Sequence, residues 1–183
     1  AKPDAARLLD RELRRSNYQC QAIALGSNTD PYQPIERSWR VTRSVLEVLQ
    51  AFNHPFNIVT KSAMVVRDLD IIAPMASRGL AKVAISVTTL DRRLARRMEP
   101  RAATPAKRLD AIRRLVEAKV PTAVMVAPVI PALNDIELED ILKETAKAGA
   151  ASARYVMLRL PLEIKDLFHE WLHEHEPLKA ERV

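Results

Sequence analysis

Residues 122–160 read TAVMVAPVIPALNDIELEDILKETAKAGAASARYVMLRL, and the alternation of apolar runs with a helical segment in this stretch sets the fold class. An apolar, β-rich run at 122–127 gives way to a polar break and then to helical periodicity. The helical segment starts at Asn134, with Glu137 spaced as a capping-box partner; it turns Leu138, Ile141 and Leu142 inward and stops at Gly149. A second apolar run, 154–160, follows it. Strand, helix, strand over about 30–40 residues is a parallel βαβ unit.

Toward the N-terminus, apolar runs recur at 81–87, 57–60 and 21–25, each leading into a helical segment. After the run at 21–25, Ile35, Trp39, Thr42, Leu46 and Leu49 fall on one helical stripe, flanked by Val41, Val45, Val48 and Phe52, wide enough to cover a sheet. Asp70 is placed to cap a short helix ending at Gly79. Thr104 and Pro105 form an N-cap and first-turn pair for a helix whose apolar face is Leu109, Ile112, Leu115 and Val116. The chain therefore reads as α/β, with about five parallel βα units. Five strands are too few to close an eight-stranded barrel of roughly 250 residues, which leaves a doubly wound sheet or an incomplete barrel with its helices outside. Gly26, Gly79 and Gly149 are the only glycines, and they form neither G-x-G-x-x-G nor a P-loop, which excludes that type of phosphate cradle.

The length, 183 residues, and a hydrophobic content of 48% suit one domain with one core. Cys20 is the single cysteine, so disulfides within the chain are excluded, as is any site needing two or more thiolates. No run reaches the roughly 20 apolar residues of a membrane helix, and residues 1–15 are charged and amphipathic rather than signal-like, which points to the cytoplasm. A net charge of +6 permits phosphate or acidic ligands, while an aromatic content of only 4% argues against base stacking.

In parallel α/β proteins function gathers at the C-terminal ends of the strands. Here those ends are polar: Gly26 to Pro34 after the first run, Thr60-Lys61-Ser62 after the second, Ser86 with Thr88 and Thr89 at the third, Pro128 to Pro131 at the fourth, and Arg159-Leu160-Pro161 at the fifth. Lys61, at the end of an apolar strand, needs an anion close by, because a buried unpaired ammonium destabilises the fold or loses its proton. Either a ligand carboxylate or a protein carboxylate, Asp30 or Glu99, meets that need.

Several of these stretches, taken together and in order, resemble one family: Leu25-Gly26-Ser27-Asn28-Thr29-Asp30-Pro31-Tyr32-Gln33-Pro34-Ile35-Glu36, Thr42-Arg43, Val59-Thr60-Lys61-Ser62, Arg67-Asp68-Leu69-Asp70, Ile85-Ser86, Glu99-Pro100-Arg101 and Ala127-Pro128-Val129-Ile130-Pro131. They resemble the radical S-adenosylmethionine (SAM) proteins related to spore photoproduct lyase, often labelled DNA repair photolyase-like. The resemblance implies an incomplete TIM-type barrel of six βα units, of which residues 1–183 hold the second to the sixth as a single, N-terminally truncated core domain. It also implies SAM and a [4Fe–4S] cluster as cofactors, the cluster being held by a C-x3-C-x2-C loop that this sequence lacks. Cys20 precedes the first strand and is expected to have no ligand role. By resemblance Ser27, Asn28, Thr29 and Asp30 receive the SAM amino group, Lys61 and Ser86 contact its carboxylate and ribose, and Ala127, Pro128 and Val129 line its adenine through the backbone. Residues 158–160, with Arg159, help to close that side. Glu99 and Arg101 either share in the site or pair their charges to anchor a turn. The implied chemistry is reductive cleavage of SAM to a 5′-deoxyadenosyl radical acting on an unassigned substrate, with nucleic acid one candidate. A missing first strand would leave 21–25 as an exposed edge that favours homo-oligomers.

Two other readings compete. His169-Glu170-Trp171-Leu172-His173 matches H-E-x-x-H, the helical pattern of zinc hydrolases, but nothing in the sequence positions Glu174, His175, Glu176 or Glu181 as a third ligand. With Ile164, Leu167, Phe168, Trp171 and Leu172 as the apolar stripe, the histidines read as solvated and no metal is expected. The basic segments 11–15, 92–101 and 107–114 admit a non-catalytic nucleic-acid-binding module, but with few aromatics among the charges they read first as ordinary solvated helix faces.

Overall fold

The apolar runs form five parallel strands: β1 (Ile23–Leu25), β2 (Phe56–Thr60), β3 (Ala81–Ser86), β4 (Thr122–Val129) and β5 (Ser152–Met157). The structure, a computed structural model, describes residues 2–183. Strand order in the sheet is β1-β2-β3-β4-β5, each strand beside its successor in sequence. A doubly wound sheet reverses direction at a switch point, whereas sequential order is how a barrel wall is laid down. The chain is thus an arc of an incomplete TIM-type barrel.

Side chains alternate across the sheet. Phe56, Ile58, Ala81, Val83, Ile85, Val124 and Val126 are buried on the side covered by helices. The register stacks Ala24, Asn57 and Lys82 in one row of the opposite face, and Val59, Ala84, Ala123 and Ser152 in the next. That face is concave in a barrel, and here its members are half-buried or exposed. The alternation explains why the runs carry an internal Asn57 and Lys82: only one face of this sheet needs to be dry.

The helices are α1 (Ala5–Leu13), α2 (Glu36–Trp39), α3 (Val41–Ala51), α4 (Leu69–Ser77), α5 (Arg92–Met98), α6 (Pro105–Glu117), α7 (Leu138–Lys147) and α8 (Ile164–His175). The stripe from Ile35 to Leu49 does not form one helix. Arg40 adopts a left-handed conformation (φ 48°) that separates α2 from α3, so Thr42, Leu46 and Leu49 are buried while Ile35 and Trp39 stay exposed. Asp70 is not a cap: Asp68 holds that position, and Asp70 sits in the first turn of α4, paired with Arg43. Thr104 and Pro105 open α6 as expected. Asn134 and Glu137 do not make a capping box. Asn134 precedes a 3-10 turn (Asp135–Glu137), and the Glu137 carboxylate instead accepts from Thr89 Oγ1 and from the backbone N–H groups of Leu90 (2.8 Å) and Asp91 (3.2 Å).

The main core lies between the sheet and α3, α4, α6 and α7. A smaller cluster of Leu94, Ile130, Leu133, Leu172 and Ala180 joins α5, the loop after β4, α8 and a 3-10 turn at Ala180–Arg182. Every residue of β5 is exposed, and β1 and β5 each pair along one edge only. Among the described residues no helix is long and apolar enough to cross a membrane.

Candidate functional site

At the C-terminal end of β1, Gly26 turns the chain with φ 101°, and a Cβ there would overlap the Val59 carbonyl oxygen. Only glycine lets the loop leave β1 so close to β2. Ser27, Asn28 and Thr29 follow as exposed loop residues. Asp30 ends the exposed stretch: its carboxylate accepts from Tyr32 N (2.8 Å), Thr60 Oγ1 (2.7 Å) and Lys61 N (2.8 Å), which ties the loop to the tip of β2. Beyond it the Tyr32 hydroxyl donates to Asp68 Oδ2 (3.0 Å). Asp68 is fully buried and is neutralised by Arg67 (2.8 Å) and Arg43 (3.0 Å), while Arg67 also grips Glu36 (3.0 Å). Burial, then the Asp68 charge, pushes the Tyr32 phenol far above its ordinary pKa, so Tyr32 remains a donor. This network of Glu36, Arg43, Arg67 and Asp68 clamps residues 26–36. The sequence stretches showed these residue types but not their shared partner.

Lys61 meets Glu99. Its ammonium pairs with Glu99 Oε1, and the other Glu99 oxygen takes Arg108 and, at 3.3 Å, the Thr88 hydroxyl. Arg108 is 2% exposed and spends its remaining donors on the carbonyls of Ala103 (2.8 Å) and Ser86 (3.0 Å). Burial alone would raise the Glu99 pKa, but Arg108 and then Lys61 outweigh it and hold the carboxyl below its ordinary value. Of the two protein partners open to Lys61, Glu99 is thus the one found. Asp30 takes the backbone N–H of Lys61 instead. Glu99 does not pair with Arg101. Of the two basic side chains on Glu99, Arg108 is enclosed and Lys61 is the accessible one, its side chain 34% exposed.

Asp30 and Lys61 line a cavity of about 620 Å³ over the ends of β1 and β2, with Arg37, Arg101 and Lys107 on its wall. None of these three arginine and lysine side chains has a carboxylate within salt-bridge reach among the described residues, so the wall is strongly positive. Ser86 is 3% exposed and lies deeper, its hydroxyl 3.4 Å from the Ala127 carbonyl. Ala127 and Pro128 sit where the β4–β5 register shifts between Val126 and Val129, a place where strand backbone leaves the regular ladder. Asn134, 1% exposed, braces that irregular strand end by accepting from Ile130 N (2.6 Å) and donating to the carbonyls of Thr88 (2.7 Å) and Pro128 (3.0 Å). Arg159 is exposed just past β5, next to Leu158, whose N–H meets the Val129 carbonyl at 2.9 Å. The structure therefore brings Asp30 and Lys61 onto one cavity wall and Ser86 against Ala127, but leaves Ser27 to Thr29 and Arg159 on the outside of that group.

Three thiolates hold an iron–sulfur cluster of the expected type, and this chain offers one exposed thiol, Cys20. The donor set does not fit the cluster. Near the histidines of α8, Glu181, from the 3-10 turn, stands 4.0 Å from His173 Nε2, with His169 beside them.

Comparison with known proteins bears on the family and the fold. The family model described as "Radical SAM superfamily" matches residues 3–145. The uncharacterized protein Rv2578c of Mycobacterium tuberculosis is 35% identical over 178 residues, covering 96% of this chain and 52% of its own length. The uncharacterized protein MJ0683 of Methanocaldococcus jannaschii is 30% identical over 115 residues, covering 63% of this chain and 43% of its own. The chain thus spans about half the length of the curated relatives it matches. Among solved structures, spore photoproduct lyase complexed with dinucleoside spore photoproduct superposes with a TM-score of 0.64 at 17% identity, over 94% of this chain and 49% of that one. Streptococcus suis SuiB bound to S-adenosylmethionine gives 0.65 at 10% identity, over 93% and 41%; both likenesses are of fold. By its sequence match and its sequential arc of parallel strands, the chain belongs to the radical SAM superfamily.

Proposed function

We propose that this chain is the SAM-binding arc of a cytoplasmic radical SAM enzyme barrel. One observation carries the reading: a single cavity wall presents the Asp30 carboxyl group and the Lys61 amino group together. A zwitterionic amino-acid group carries both complementary charges on one carbon. Its ammonium goes to the loop Ser27, Asn28, Thr29 and Asp30, and its carboxylate to Lys61. Lys61 keeps Glu99 on one N–H and turns its other donors to the ligand. The family resemblance assigns Ser86 to the ribose, the backbone of Ala127, Pro128 and Val129 to the adenine and Arg159 to the open side, all of them outside the lining of the Asp30–Lys61 cavity. When bound in a radical SAM enzyme, the [4Fe–4S] cluster supplies the electron that cleaves SAM. Cys20 alone cannot hold that cluster.

Arg37, Arg101 and Lys107, on the same wall, favour a phosphate-bearing substrate. They equally favour a second reading, a nucleic-acid-binding module without catalysis. The experiment is anaerobic assay of the full-length protein with reconstituted cluster, SAM and dithionite. 5′-Deoxyadenosine should form, and Lys61→Met should weaken SAM binding by about tenfold to a hundredfold, the effect of losing one partly buried charge pair, with the melting curve little changed. No 5′-deoxyadenosine, together with salt-dependent DNA binding, would replace the enzyme by the module. Unchanged SAM affinity in Lys61→Met would remove Lys61 from the site.

A further inference from the structure

We propose that His169, His173 and Glu181 form a binding site for a divalent transition-metal ion of the zinc class, which clamps the 3-10 turn Ala180–Arg182 onto α8. The donors come from two separate elements, and each donates one atom to a set lying within 4.8 Å of one another. His169 and His173 are one helical turn apart, with ring centroids 4.5 Å apart and planes at 76°. Glu181 Oε1 stands 4.0 Å from His173 Nε2. Around a tetrahedral zinc with bonds of about 2.0–2.1 Å, donor atoms lie about 3.3 Å apart. The set needs to contract by no more than about 1.5 Å, which rotations of exposed side chains supply without backbone movement.

The backbone under the donors is already held. Each donor directly follows a residue of the small cluster around Leu94, Ile130 and Leu133: Phe168 precedes His169, Leu172 precedes His173, and Ala180 precedes Glu181. Leu172 is 2% exposed and Ala180 3% exposed, so α8 and the turn are packed against the same apolar seat. Arg97 reinforces the connection between them by donating to the His175 carbonyl (3.1 Å) and Glu176 Oε1 (3.0 Å). A donor set on anchored backbone loses little freedom on binding, which is what separates a site from a chance surface cluster.

Two imidazoles and one carboxylate select zinc, cobalt or nickel over magnesium and calcium, which take all-oxygen sets. The fourth position is left to water. Glu170, the residue that H-E-x-x-H hydrolases use as a base, is outside the donor set, and the donors are exposed rather than set in the strand-end cavity. The chemistry is that of a clamp, not of hydrolysis.

The test is titration of Zn²⁺ into this chain against a chromophoric chelator, with thermal melting in parallel. The wild type should take up one zinc per chain and melt about 5–10 °C higher at a hundredfold excess over Kd. His169→Ala and Glu181→Gln should melt as the wild type does without metal, since both side chains are exposed, and should lose more than the about 10–100-fold in affinity carried by outer-shell partners. Cys20→Ser and His175→Asn should bind as the wild type does. Failure of the wild type to bind one zinc overturns the proposal, as does binding that survives both His169→Ala and Glu181→Gln or that disappears in Cys20→Ser or His175→Asn.

Discussion

Replacing Glu99 by glutamine removes one negative charge from between two cations while keeping the shape of the side chain. Arg108, 2% exposed, loses its carboxylate and keeps only neutral acceptors, the carbonyls of Ala103 and Ser86 and the new amide oxygen. Taking one partner from a buried ion pair costs about 3–5 kcal/mol, and the surviving hydrogen bonds put Glu99→Gln near the lower end, about 3 kcal/mol. For a chain of this length that is a fall in Tm of about 6–12 °C. Lys61→Met removes the outer cation, a third exposed, and should cost only about 1 kcal/mol or less. The ordering of the two variants is thus set by burial rather than by the number of pairs broken. Acid should erase the difference between wild type and Glu99→Gln. The folded pKa of Glu99 is depressed, so its contribution is complete above the ordinary value of 4.5 and disappears as pH falls through the folded pKa. Circular-dichroism melts at neutral pH and over a descending series below 4.5 test both parts, with the gap between the two proteins narrowing steadily on acidification. Equal melting of wild type and Glu99→Gln at neutral pH, or a gap that does not narrow as pH falls below 4.5, would refute the ion-pair account.

Two further substitutions probe how the strand-end loops are held. Gly26→Ala places a Cβ against the Val59 carbonyl at a backbone φ of 101°, and should lower the urea midpoint by the equivalent of about 2–4 kcal/mol. An unchanged midpoint would show that the loop can leave β1 along another path. Asn134→Ala strips partners from Ile130 N–H and the Pro128 carbonyl at the end of β4 and from the Thr88 carbonyl just past β3, and should cost about 2–4 kcal/mol in equilibrium unfolding. Hydrogen exchange should then speed up at Ile130 before it does so in β2; uniform exchange across the sheet would show that Asn134 is not a local brace.

The sequence by itself determined what depends on neighbours a few residues apart. Alternating apolar runs and helical stripes reported five βα units; Thr104-Pro105 marked the start of α6; and Lys61 at a strand end required an anion because unpaired buried charge is costly. Each of these is local in the chain, or follows from desolvation alone. Only the tertiary structure decided between carboxylates, since Glu99 stands 38 residues from Lys61 in sequence while the oxygens of Asp30 are taken by Tyr32, Thr60 and the Lys61 backbone. It likewise decided strand order, which separates barrel from doubly wound sheet and leaves no trace in strand composition. The break at Arg40 escaped the helical stripe because periodicity counts side chains and is blind to one left-handed residue. Glu181 escaped the H-E-x-x-H reading for the same kind of reason: its approach to His173 comes from Leu172 and Ala180 packing into one small cluster, and such packing is a property of three-dimensional neighbours rather than of spacing along the chain.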